Sequence, residues 1–239
     1  MQVIYEPKGA ALEYAELAVN LYTGCKFGCI YCYAPAIAQQ NVHQFSSNPQ
    51  PKKNVLKRLE ADCKKMAGDK RTVLLCFTCD PYQSFEAGVL TREALLILEK
   101  YKMTATVLTK GGLIAERDFD ILRRNNWSFG STVHMYDNDP GRPWEPHAAN
   151  NRSRCMAIRN AHRMGIKTWV SMEPVIYTDQ ALKSIEEMHC NVDFWKVGKM
   201  NHRDLDIDWR KFYDDVTGLL KKVGAEYYIK DALSKAAGI

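Results

Sequence analysis

The chain reads as an α/β protein whose strand–helix units curl into a partial (βα)6 TIM-like barrel. Three observations predict this. Apolar runs alternate with amphipathic segments from residue 18 onward. No repeat, low-complexity tract or long Pro/Gly/Ser linker interrupts the alternation. With 239 residues and 46% apolar side chains, the chain can bury one substantial core but is too short for two well-separated enzymatic domains. Short strands each followed by a helix make a parallel sheet, and six such units can close into an open barrel with its site at the strand C-terminal ends.

The strands are expected, in order, near 18–23 (AVNLYT), 72–77 (TVLLCF), 103–108 (MTATVL), 127–133 (WSFGSTV), 166–172 (IKTWVSM) and 193–198 (DFWKVG), with a seventh near 225–229. Helices fall between them. The one near 52–67 places Val55, Leu56, Leu59, Cys63 and Met66 on one face. Gly165 and Gly224 stand where a helix C-terminus wants positive φ. On this reading residues 1–17 are an N-terminal extension, 18–200 the barrel core of a single domain, and 201–239 a closing helix, strand and helix.

Lys and Arg outnumber Asp and Glu by 33 to 28, a net charge of +5 spread along the chain. That excess suits a polyanionic partner without requiring one. The opening MQVIYEPKGAALEYAEL lacks the charged start and apolar run of a signal peptide, and no stretch approaches 18 uninterrupted apolar residues. A cytoplasmic protein with no membrane partner is expected. Eight cysteines in a reducing compartment do not suggest a disulfide framework, and the crowding of three within Cys25 to Cys32 favours metal ligation.

The segment Gly24-Cys25-Lys26-Phe27-Gly28-Cys29-Ile30-Tyr31-Cys32-Tyr33 follows the first expected strand, which puts a Cys-x3-Cys-x2-Cys loop at the sheet's C-terminal edge. A cubane needs four ligands. Three thiolates with no fourth nearby leave one iron open for a small chelating ligand. Gly24 and Gly28 suit a backbone that must curl round sulfides and donate N–H groups to them. A structural zinc site is the alternative; it would draw a fourth ligand from Cys63 or His43, neither of which has the usual paired spacing.

Cys-x3-Cys-x-aromatic-Cys, with Tyr31 as the aromatic, resembles the signature of the radical S-adenosylmethionine superfamily. The stretch YEPKGAALEYAELAVNLYTGCKFGCIYCYAP is similar to the opening of its spore photoproduct lyase-like group, and TCDPYQ, LTKGG, WEP, AIRNAHRMGI, SMEPVI and VGKMNH agree in order. The resemblance implies a radical SAM barrel holding a [4Fe-4S] cluster on Cys25, Cys29 and Cys32. S-adenosyl-L-methionine would chelate the open iron and be cleaved to a 5'-deoxyadenosyl radical that abstracts a substrate hydrogen. A reductant such as flavodoxin or ferredoxin would feed the cluster.

The same resemblance distributes roles over the strand ends. It implies that Asp80 meets the methionine amino group, although an Asp-Pro turn at a strand end is the plain alternative. Lys110 would pair with the methionine carboxylate, and Tyr31 and Tyr33 would lie against the cofactor, with exclusion of water as their other possible role. Ser131 or Thr132 would reach the ribose or carboxylate. His134, Glu173 and Lys199 are candidate catalytic residues and Asn201 a candidate substrate contact, each of which could instead be a cap, a turn or a structural residue.

One departure stands out in Cys76-Phe77-Thr78-Cys79-Asp80. The lyase has a hydrogen-donating cysteine three residues before the corresponding aspartate, and here Phe77 takes that place. Efficient dimer repair is therefore not expected. Cys79 is the candidate replacement donor, with Cys76 as the other possibility, and strand alternation would let at most one face the interior. The expected activity is radical modification or repair of a nucleic-acid base or nucleotide. The alternatives are a radical enzyme acting on a small metabolite or amino-acid group, and a non-enzymatic iron–sulfur or zinc module.

Overall fold

Eight strands form one sheet in the computed structural model, which describes residues 2–137 and 143–239. They are β1 (Ile4–Tyr5), β2 (Leu17–Val19), β3 (Thr72–Leu75), β4 (Thr104–Thr109), β5 (Ser128–Thr132), β6 (Lys167–Val175), β7 (Phe194–Lys199) and β8 (Tyr227–Ile229). Spatial order follows chain order; β1 is antiparallel to β2 and every later pair is parallel. Parallel neighbours need crossovers. These are supplied by α1 (Ala34–Ile37), α2 (Val42–Ser47), α3 (Val55–Lys65), α4 (Phe85–Lys100), α5 (Phe119–Arg124), α6 (Asn151–Arg163), α7 (Thr178–Met188) and α8 (Trp209–Lys222), with α9 (Asp231–Ala236) after β8.

Local sequence explains the helices. On α3, Val55, Leu59 and Cys63 are buried while Leu56 and Met66 pack against the same core, as the spacing requires. Ser84, Asn150 and Asp208 accept from backbone N–H groups three residues on and start α4, α6 and α8. Gly165 and Gly224 follow α6 and α8 at φ +76° and +68°.

Strand alternation sorts the rest. Leu17, Val19, Val73, Leu75, Val107 and Val170 face the helices in the main core, whereas Ala18, Leu74, Leu108 and Trp169 form a smaller cluster inside the barrel with Tyr14, Phe77 and Phe194. The Trp169 indole donates to Thr106 Oγ1 at 3.0 Å. Beside it the Lys196 ammonium lies 5.0, 5.6 and 6.0 Å from the Tyr14, Trp169 and Phe194 ring centres. These groups fill the barrel floor, and the cavity lies above them.

The barrel is not closed by strand pairing, since β8 bonds to β7 and β1 to β2. A turn at Gly9–Glu13 spans the gap instead. The Lys196 ammonium donates to the Glu13 and Tyr14 carbonyls at 2.5 and 3.2 Å, and Glu13 Oε1 accepts from the Tyr228 hydroxyl and the Asp231 N–H.

Six expected strands are present and the seventh, near 225–229, exists as β8 beside β7. β1, two residues long, gave no periodic signal. β2 and β3 stop earlier than expected. β6 runs on to Val175 through an irregularity between Met172 and Val175, so Glu173 lies within a strand rather than after it. Among the described residues no helix is long and apolar enough to cross a membrane.

Candidate active site

After β2 the chain leaves the sheet and makes the cysteine loop at the barrel mouth. Three segments clamp it. The Cys25 N–H donates to the Phe45 carbonyl, the Lys26 N–H to Gln83 Oε1 at 2.6 Å, and the Ile30 N–H to the Trp144 carbonyl at 3.0 Å. Gly28 turns the loop at φ +62°, a conformation that a side chain would strain. Cys25, Cys29 and Cys32 all line one cavity of about 380 Å³ above the barrel floor, a size typical of small-molecule sites.

Burial pushes all three thiols up, Cys29 to about 12, while the Lys110 ammonium pulls the other way on Cys29 and Cys32. Thiolates at such positions need a compensating cation. Among the described residues no three His, Cys, Asp or Glu side chains converge as ligands of a single metal ion. Cys63 is fully buried in the main core on α3 and His43 lies on α2, so neither lines the cavity. Three thiols spread along a cavity wall fit the body of a cluster better than a closed zinc site.

Asp80 lines the cavity but spends its carboxylate on the fold. Its Oδ1 accepts from the Thr109 hydroxyl at 2.6 Å and the Tyr82 N–H at 2.9 Å, and its Oδ2 from the Lys110 N–H at 2.7 Å. Burial raises its pKa above the ordinary carboxylate value despite these bonds. It ties the end of β3 to the end of β4 and so aims Lys110.

The Lys110 ammonium lines the cavity, 5.8 Å from the Tyr31 ring centre, and forms no ion pair among the described residues. Behind that ring lies a buried network. The Tyr31 hydroxyl donates to Glu145 Oε1, which also meets His134 Nε2 at 3.1 Å, while Arg154 Nη2 reaches Glu145 Oε2 at 2.5 Å. Burial opposes a charge on Glu145, yet Arg154, His134 and Lys110 together hold its pKa well below the usual carboxylate range. Burial lowers His134, which is thus neutral and donates from Nε2. His134 therefore stands behind Tyr31 and does not line the cavity.

The far wall carries a second polar group. Glu173 Oε2 accepts from Lys230 Nζ at 2.6 Å and the Tyr14 hydroxyl at 2.5 Å, and its Oε1 from Asn201 Nδ2 at 2.7 Å. Lys230 also pairs with Glu13 at 3.2 Å. Gly198 makes room for this group, since a Cβ there would lie 2.9 Å from the Glu173 carboxylate carbon and 3.0 Å from Lys230 Cδ. Cys79, Thr132 and Tyr33 complete the predicted residues at the cavity; the Tyr33 ring stands 6.4 Å from that of His202 at the mouth.

Besides His134, two expected residues lie elsewhere. The Ser131 hydroxyl is fully buried on the Thr109 carbonyl. Lys199 turns away to the Met200 carbonyl and the Trp209 ring, and Lys230 supplies the ammonium at that wall. Glu145, Arg154, Tyr14 and Lys230 were not singled out from the sequence. Glu145 stood inside the WEP segment and Tyr14 inside the opening stretch, but Arg154 and Lys230 lay in no quoted segment.

The sequence pattern of the family described as "Radical SAM superfamily" matches residues 19–189. An uncharacterized protein of Methanocaldococcus jannaschii is 27% identical over 165 residues, covering 68% of this chain and 61% of the relative. Among solved structures, Streptococcus suis SuiB bound to S-adenosylmethionine superposes with TM-score 0.70 at 13% identity, over 92% of this chain and 51% of that one. Spore photoproduct lyase complexed with dinucleoside spore photoproduct superposes with TM-score 0.69 at 14% identity, over 94% and 79%. The chain thus spans about half the length of SuiB and under two thirds of its curated relative.

Proposed function

Because the chain belongs to the radical SAM superfamily, by the match over residues 19–189, we propose that it is an enzyme of the spore photoproduct lyase-like group acting on a nucleic-acid base or nucleotide. Cys25, Cys29 and Cys32 hold a [4Fe-4S] cluster, and a flavodoxin or ferredoxin reduces it. The cluster's chemistry is one-electron cleavage of S-adenosyl-L-methionine to a hydrogen-abstracting radical. Lys110, in no ion pair among the described residues and facing the cavity, receives the methionine carboxylate. Tyr31 supports Lys110, Tyr33 lies against the adenine at the mouth, and Thr132 meets the cofactor from β5.

The observation that carries the substrate class is the far wall. Glu13 and Glu173 are balanced by Lys196 and Lys230, so this end offers donors and acceptors without net charge. Tyr14 and Phe77 add aromatic faces. A neutral planar heterocycle matches such a wall, whereas an amino acid needs a spare cation and a spare anion. Lys8, exposed at the rim and in no ion pair among the described residues, suits the phosphate of a nucleotide. Glu173 and Asn201 are then substrate contacts, and Lys199 and His134 act from behind the site.

Phe77 cannot return a hydrogen atom, so efficient repair of spore photoproduct is not part of this reading. The test is to incubate reconstituted, reduced protein with deuterated nucleosides, nucleotides and oligonucleotides and follow deuterium into 5'-deoxyadenosine. Label from a nucleic-acid component supports the proposal. Label arriving solely from free amino acids or small metabolites replaces it with the metabolite reading.

A further inference from the structure

The Glu173 carboxylate fixes the direction of every hydrogen bond at the far wall. Ser171 and Glu173 alternate on β6 so that both line the cavity. A carboxylate accepts, so the Tyr14 hydroxyl gives its one hydrogen to Glu173 Oε2 at 2.5 Å, and Asn201 presents Nδ2 rather than Oδ1 to Glu173 Oε1 at 2.7 Å. With that hydrogen spent, the Tyr14 oxygen accepts from the Ser171 hydroxyl at 2.9 Å. The Lys230 ammonium is engaged as well. It donates to Glu173 Oε2 at 2.6 Å, pairs with Glu13 Oε2 at 3.2 Å and lies 4.4 Å from the Tyr14 ring centre.

What this wall leaves open is chiefly the capacity to accept. Glu173 Oε2 already has two donors, whereas Oε1 has one and keeps a lone pair. Asn201 Oδ1, on the other branch of the amide, is in no hydrogen bond among the described residues. Turning that amide over to serve a carbonyl would set its oxygen against Glu173 Oε1, so the pattern is locked. We infer that the base this site takes carries an exocyclic amino group, as adenine, guanine and cytosine do, and that Glu173 and Asn201 select it over uracil and thymine. The inference rests on the nucleic-acid reading above.

The selection is a matter of counting hydrogens. The amino group of adenine or cytosine brings two N–H hydrogens, and guanine adds a ring N–H beside its own, so one edge of such a base can satisfy Glu173 Oε1 and Asn201 Oδ1 together. Once joined to its sugar, uracil or thymine has a single N–H, flanked by two carbonyl oxygens. One hydrogen cannot serve two acceptors. Whichever oxygen it misses stays desolvated and unmet, and an enclosed site built to receive N–H groups rejects a ligand that lacks them.

The test measures binding rather than turnover. The full reconstituted chain, with S-adenosyl-L-methionine present, is dialysed to equilibrium against nucleoside 5'-monophosphates and short single-stranded homo-oligonucleotides. Matched pairs isolate the amino group: cytidylate against uridylate, and adenylate and guanylate each against inosinate. In at least one pair the amino-bearing member should bind about tenfold more tightly or better, the worth of one hydrogen bond to a charged acceptor. Glu173→Gln, which keeps the shape and can turn an amide N–H to the ligand, should cut that ratio at least severalfold; the wild-type pairs decide the question even where this variant fails to fold. Equal affinities in every pair, tighter binding of uridylate or inosinate, or a ratio unchanged in folded Glu173→Gln would overturn the inference and leave the nucleic-acid reading standing. Binding of no nucleotide or oligonucleotide, with deuterium reaching 5'-deoxyadenosine solely from amino acids or small metabolites, would overturn that reading and the inference with it.

Discussion

Asp80 and Lys110 are joined by a hydrogen bond of 2.7 Å from the Lys110 backbone, yet they answer to different tests. Lys110 presents an ammonium to the cavity, so Lys110→Ala should keep the fold and weaken S-adenosyl-L-methionine binding by about 10- to 100-fold, the worth of a charge-assisted bond of about 1.5–3 kcal/mol. Titration of the cluster's spectrum with the cofactor measures it, and unchanged affinity would remove Lys110 from the site. Asp80→Ala should instead lower thermal stability, because it leaves three donors at the strand ends without an acceptor. The cysteines were legible in the sequence because their spacing is local. Glu145 and Tyr14 were not, since the contacts that give them meaning join residues 114 and 159 positions apart.

At the scale of elements, two buried networks hold the mouth and the floor of the barrel. Breaking a buried ion pair typically costs about 3–5 kcal/mol, so Glu145→Gln, which leaves Arg154 unpaired, should lower Tm by roughly 6–20 °C and reduce iron content through the loosened loop. An unchanged Tm would show that Arg154 finds another partner. The carboxylate's contribution is present above its ordinary pKa and is lost as pH falls through the depressed folded value. At the floor, burial among aromatic rings and the charge of Lys230 lower Lys196 to about 8. The unfolded chain then binds more protons than the folded one between about pH 8 and the ordinary lysine value of 10.5, so this group makes stability rise with pH across that window. The Tm of the wild type should rise relative to that of Lys196→Met from pH 8 to 10, and parallel profiles would contradict the assignment. Element ends were the least legible feature: β3 was expected to continue through Phe77, and its early stop at Leu75 is what turns both Cys76 and Cys79 toward the cavity.

The whole molecule follows from placing every strand C-terminus at one mouth. Alternating apolar runs foretold the parallel sheet and most of its strands, but closure depends on contacts that no period announces. Glu13 meets Tyr228 and Asp231 across 215 and 218 positions and so covers the side that the sheet leaves open. That closure brings Tyr14 and Lys230 to Glu173 and makes the far wall. On the proposed reading, the thiols at one end of this cavity support radical formation from S-adenosyl-L-methionine. The most direct test of that claim is anaerobic reconstitution with iron and sulfide, reduction, addition of the cofactor and quantification of 5'-deoxyadenosine beside bound iron. The wild-type chain should bind close to four irons, as a single cubane requires, and release 5'-deoxyadenosine, whereas Cys25→Ala, Cys29→Ala and Cys32→Ala should each lose both. Tight zinc binding without an iron chromophore, or 5'-deoxyadenosine undiminished in any of the three variants, would contradict the claim.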